Sequence, residues 1–161
     1  MNNENLINVK DKTINLEEVK RLSLVNCPAY NEYTIFITDF QEKLTGVIEF
    51  GNEEDLKLTF NLINSNLERL VAKTKNLAYV SYENLDLDNQ CEVIRVDGIE
   101  KMYIQTSKDT LHNRRGYALH ILFWNGEKRE FFYESHLDAE RLYHAIDSKI
   151  ENLHSERVFN S

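Results

Sequence analysis

Proline occurs once and glycine five times in 161 residues, too few of either to build a flexible linker or a low-complexity tail. Cysteine is nearly as scarce. Cys27 and Cys91 stand alone, with no Cys-x-x-Cys and no histidine pair nearby. That excludes a disulfide framework and a structural zinc site and leaves both as small residues in or near a core. No apolar run approaches the roughly 18 residues needed to cross a bilayer, so no membrane partner is expected. The opening residues lack the basic stretch and apolar segment of a secretory signal, which makes a reducing cytoplasm the expected location.

Positive charge is also in short supply. The formal net charge is −8, with 9 basic against 12 acidic residues up to Leu77 and 10 against 15 beyond it. The deficit runs along the whole chain and argues against direct binding to a nucleic-acid backbone. Motifs of enzymes are missing too. The glycines at 46, 51, 98, 116 and 126 are scattered and form no phosphate-binding loop. There is no His-Glu-x-x-His, no Gly-x-Ser-x-Gly and no EF-hand loop. The expectation is a protein that is not an enzyme and carries no cofactor and no metal.

What the chain does contain is internal similarity. At an offset of 80, apolar residues coincide at 14/94, 16/96, 19/99, 22/102 and 24/104. At 84, Tyr33, Ile35 and Ile37 match Tyr117, Leu119 and Ile121; at 83, Asp55, Phe60, Ile63, Ser65 and Leu67 match Asp138, Tyr143, Ile146, Ser148 and Ile150. Three matches in order, with small drifts in two loops, point to an internal duplication.

Each half reads alike. Alternation at Ile14/Leu16 and Leu22/Leu24, and at Ile94/Val96 and Met102/Ile104, predicts two short strands with a tight turn between them. Third strands are expected over 33–40 and 117–124, fourth strands over 47–50 and 130–133. Asn125-Gly126 signals a tight hairpin between the last two, where the first half has a looser loop around Lys43 and Gly46. Asn52 with Asp55, and Ser135 with Asp138, then open two helices. Their apolar stripes are Leu56, Phe60, Ile63, Leu67, Leu70 and Ala139, Tyr143, Ile146, Ile150, Leu153. The predicted fold is α+β: two tandem ββββα units, residues 1–76 and 77–161, each an antiparallel four-stranded meander with one helix packed across it. Residues 77–82 read as an extra, connecting strand.

A helix covers one face of a sheet and leaves the other. On that second face fall Ala118, His120, Leu122 and Trp124 in one half and Phe36 and Phe40 in the other. Rows this apolar call for burial, either of one sheet against the other or against a partner chain; edge strands offer a route to a homodimer. All five histidines, 112, 120, 136, 144 and 154, lie in the second half, and His136 and His144 are too far apart along a helix to share a metal. The segment 108–116, with Lys108, His112, Arg114 and Arg115, is the one local basic cluster and reads as a loop that could fork onto a carboxylate or phosphate. The run Glu53-Glu54-Asp55 sits where a helix dipole favours acids.

The expected partner-binding residues are therefore His112, Arg114, Arg115, His120, Trp124, Phe36 and Phe40. The expected function is that of a cytoplasmic protein-binding module, an inhibitor that occludes a basic or nucleic-acid-processing partner in the manner of phage counter-defence or toxin-immunity proteins. The alternatives are a small-ligand-binding or catalytic domain with its pocket between the units, using His112, Arg114, Arg115 and His120, and a structural oligomer subunit.

Overall fold

Segments rich in β-branched and aromatic residues pair as antiparallel strands, and the two capped amphipathic stretches coil into helices. The computed structural model describes residues 5–84, 87–109 and 114–160 of this α+β chain. Two compact units result, one of Met1–Thr74 with Tyr79–Ile94, the other of Lys75–Ala78 with Arg95–Ser161. Among the described residues, no helix is long and apolar enough to cross a membrane.

In the first unit, β1 (Leu6–Val9) and β2 (Lys12–Asn15) pair only with each other. One 3-10 turn, Leu16–Glu18, leads into β3 (Val19–Cys27), β4 (Glu32–Asp39) and β5 (Leu44–Glu49), a continuous meander. The strands β6 (Leu77–Asn84) and β7 (Leu87–Arg95) add to its β3 edge, giving the order β5-β4-β3-β7-β6. In the second unit another 3-10 turn, Val96–Gly98, leads into β8 (Ile99–Asp109), β9 (Arg114–Phe123) and β10 (Lys128–Tyr133), in the order β10-β9-β8.

The meander in each unit thus has three strands where four were expected. Leu16 and Val96, read as strand residues ahead of a tight turn, instead open single turns of helix over Leu16–Glu18 and Val96–Gly98. A 3-10 turn redirects the chain, so β2 does not fold back on β3 and pairs with β1.

The helix α1 (Glu53–Lys73) starts at Asn52, whose Oδ1 accepts the Asp55 N–H at 2.8 Å while its Nδ2 donates to Asp55 Oδ2 at 3.0 Å. Cap and first-turn acids together satisfy and offset the exposed N–H groups of that end. Its buried stripe is Leu56, Phe60, Ile63, Leu67 and Val71, so the last contact is made by Val71 and not by Leu70. The register of β3, β4, β5 and β7 puts Leu22, Leu24, Ile35, Ile37, Ile48 and Cys91 on one face, all buried. Asn64 of α1 accepts from Cys91 Sγ on this face. Each such Leu or Ile contributes about 1.5–3 kcal/mol relative to exposure. The opposite face carries a buried polar row, with Gln90 Nε2 donating to Ser23 Oγ at 3.1 Å and Arg21 2.8 Å from Glu92.

In the second unit α2 (His136–Asn160) buries Ala139 and Ile146, and Leu119, Ile121 and Phe131 of the sheet are equally buried. The other face is mixed. Cross-strand neighbours set Tyr103 and Glu130 beside His120, and Lys101 and Lys128 beside Leu122. Read in the strand alone that row looks apolar; its neighbours make it polar.

Candidate functional site

The most informative surface lies where β9 turns into β10. The Phe123 N–H donates to Glu127 O and the Gly126 N–H to Phe123 O, both at 2.9 Å, which closes a three-residue loop over 124–126. Only Gly126, at φ 90°, takes the left-handed conformation; Asn125 does not and uses its Oδ1 to accept the Glu127 N–H at 2.8 Å. The Asn-Gly pair therefore builds a longer loop than the two-residue turn expected from it, and Trp124 becomes its first residue. The Trp124 N–H donates to Gly98 O at 3.0 Å, which ties this loop to the 3-10 turn bearing Asp97. The indole itself is 71% exposed.

Beside it opens a cavity of about 330 Å³. Apolar lining comes from Met102, Ile150 and Leu153, aromatic lining from Trp124 and Tyr143. Asp97, Glu100 and Asp147 place three carboxylates along it, against Lys101 and His154. On α2 the spacing 143, 147, 150 and 154 keeps these four residues on one stripe. None of the three carboxylates is in an ion pair with a described residue, and they do not converge as a metal-ligand set. Lys101 Nζ lies 5.4 Å from the centre of the Tyr103 ring.

The corresponding hairpin of the first unit has the same backbone. The Asp39 N–H donates to Lys43 O at 2.9 Å and the Glu42 N–H to Asp39 O at 3.1 Å, and Glu42 is left-handed at φ 63°. What was expected to be a looser loop is the same three-residue loop, and Gly46 sits inside β5 opposite Ile37. Glu42 folds back to pair with Lys20 and, at 3.1 Å, with Arg21. The hydrogen bond from Lys20 pulls the Glu42 carboxyl below the usual carboxylate range; partial burial opposes this and Arg21 reinforces it. Arg21 is held charged: burial alone would lower its pKa, and the bonds and charges of Glu92 and Glu42 outweigh burial and raise it.

The residues singled out in the sequence do not form one cluster. His112 lies outside the described residues. The described residues of the basic segment, 108–109 and 114–116, are strand, with Lys108 opposite Arg115 and Asp109 opposite Arg114. Arg114 is paired with Glu134 at 2.5 Å and sits 5.7 Å from the centre of the Phe132 ring. Nearby, a side chain at Gly116 would come within 2.4 Å of Tyr133 O, so glycine is required there. Arg115 is exposed. His120 stacks on Tyr103 with ring centres 4.7 Å apart and stands 3.9 Å from Glu130. Trp124 is ten residues beyond Arg114, about 33 Å along an extended strand, so the arginines and the indole cannot share a small contact. Phe36, in β4, and Phe40, in the first-unit loop, are half-buried.

Sequence reasoning passed over Asp97, Glu100 and Asp147 and read Tyr143 only as part of the helix's core-facing stripe. One signal was there: position 100 is Glu where its counterpart, position 20, is Lys. The buried thiol of Cys91 is pushed up by burial, which keeps it a protonated core residue. No protein-family model matches this sequence, and no curated protein matches it.

Proposed function

We propose that this protein is a non-enzymatic cytoplasmic protein-binding module that inhibits a basic partner by occluding its surface, in the manner of phage counter-defence or toxin-immunity proteins. One observation carries the reading: a 71% exposed tryptophan stands beside a cavity lined by three carboxylates and an apolar stripe. Exposed aromatic anchors next to apolar pockets are the usual energetic centres of protein interfaces. Unpaired acids around them favour a cationic partner, and a net charge of −8 speeds its approach.

The same proposal includes a tandem origin of the two halves, 1–76 and 77–161, as ββββα copies. Several features support it. The 3-10 turns at Leu16–Glu18 and Val96–Gly98 are 80 apart. Bulges at Val19/Arg21 and Ile99/Lys101 keep that offset, and the two loops of identical hydrogen bonding are 84 apart. Copies free to diverge separately give one closed hairpin and one open to a partner.

A small-molecule site is the second reading, favoured by the cavity volume of about 330 Å³, at the low end of ligand pockets. The two readings separate in one experiment. The full chain, immobilised, is exposed to lysate of its native host with and without chelator, and any captured protein is purified and titrated back by calorimetry. A stoichiometric basic partner whose affinity falls with salt supports the first reading. Absence of any protein partner, with saturable binding of a metabolite, replaces it with the second.

A further inference from the structure

We propose that the cavity beside Trp124 is an arginine-reading site: it takes one arginine side chain, with its adjoining apolar residue, from an exposed segment of the partner protein. This deepens the protein-binding reading and rests on it. Three features of the cavity choose the occupant. Its charged lining is predominantly acidic, through Asp97, Glu100 and Asp147, none of which has a charge partner among the described residues. A cation therefore gains charge complementarity without first displacing an ion pair. The carboxylates are spread along the lining and form no metal-ligand set, which suits a delocalised cation with several donors better than a point charge. Trp124 presents an open aromatic face, and a guanidinium stacks on indole more readily than an ammonium does. The apolar lining from Met102, Ile150 and Leu153 then accommodates the arginine methylenes and a neighbouring aliphatic side chain.

Trp124 is the only tryptophan of the chain, so its fluorescence reports the site directly. The probes are the capped peptides acetyl-Leu-Arg-Leu-amide, its Lys and Glu analogues, and arginine amide alone, titrated into the full chain and into Asp97→Asn, Asp147→Asn and Trp124→Phe, the last followed by calorimetry. The expected result is a saturable fluorescence change with the Arg peptide, weaker binding of the Lys peptide and none of the Glu peptide. Each neutralised carboxylate should weaken the Arg peptide by roughly five- to tenfold, less so at high salt. Far-UV circular dichroism confirms that each variant is folded; Asp138→Asn, which neutralises an exposed acid about 13 Å along α2 from Asp147, controls for general loss of negative charge and should leave binding unchanged. Equal response to the Glu peptide, no response to the Arg peptide, or equal affinity for arginine amide and the peptide would each overturn the assignment. A purified partner that binds wild type and the three variants equally well would refute this site while leaving protein binding intact; lack of any protein partner refutes the underlying reading.

Discussion

Two hairpins with one backbone do opposite things. The loops at 40–42 and 124–126 share their hydrogen bonds and a left-handed third residue, yet one is closed and the other open. In the first unit that third residue is Glu42, whose carboxylate reaches back to Lys20 and Arg21. In the second it is Gly126, which has no side chain to reach with, and the counterparts of Lys20 and Arg21 are Glu100 and Lys101. Phe40 is half-buried; Trp124 is 71% exposed. Backbone geometry thus positions a loop, and a single side chain decides whether its surroundings are satisfied internally or left for a partner.

The largest losses of stability are expected in the two cores. Ile63 of α1 and Ile146 of α2 are both fully buried, and each Ile→Ala change should cost about 3–4 kcal/mol in urea denaturation. An Ile146→Ala cost below about 1 kcal/mol would mean that the two helices are not seated alike.

Arg21 and Lys101 sit at matching positions after a bulge. Arg21→Met leaves Glu92, 1% exposed, without its guanidinium and should cost about 3 kcal/mol. Lys101→Met should change stability by less than about 0.5 kcal/mol. Equal costs would erase the distinction between a closed and an open hairpin.

Exchanging the third loop residues tests smaller terms. Gly126→Glu should lower stability by about 1 kcal/mol because a side chain is unfavourable at φ 90°. Glu42→Gly relieves that cost while losing its ion pairs, and should shift stability by less than about 1 kcal/mol. Thermal melts of both variants provide the measurement.

The least effect comes from pH. Glu42 has a depressed folded-state pKa, so its contribution is fully present above the ordinary glutamate value of about 4.3 and is lost as pH falls through the lower, folded value. With half of its side chain exposed, screening keeps that contribution under about 1 kcal/mol. Stability measured from pH 6 down to pH 2 should fall slightly more for wild type than for Glu42→Gln. A steeper fall for the variant would reverse the assigned sign.

Much of this architecture was legible in the chain. Asn52 and its acidic partner marked the start of α1, and the 4-3 spacing from Leu56 to Leu67 marked its buried stripe, because caps and periodicity are local properties. The third and fourth strands were legible from alternation. The turns at Leu16–Glu18 and Val96–Gly98 were not, since an apolar pair flanking two or three polar residues fits either a hairpin turn or a single turn of helix. For the candidate site, Trp124 stood out as an aromatic on the second sheet face, in a row expected to be buried against the other sheet or a partner, while Asp97, Glu100 and Asp147 looked like ordinary surface acids.

By itself the sequence determined the α+β class, the offsets between its halves, the helix caps and the excess of acid, all of which depend on residues within a few positions or on simple sums. Tertiary structure alone decided that β7 pairs with β3, that Arg21 meets Glu92 across 71 positions, and that acids from a 3-10 turn, a strand and a helix gather beside one indole. Such choices depend on which distant surfaces exclude water together, and no local window of the chain carries that information.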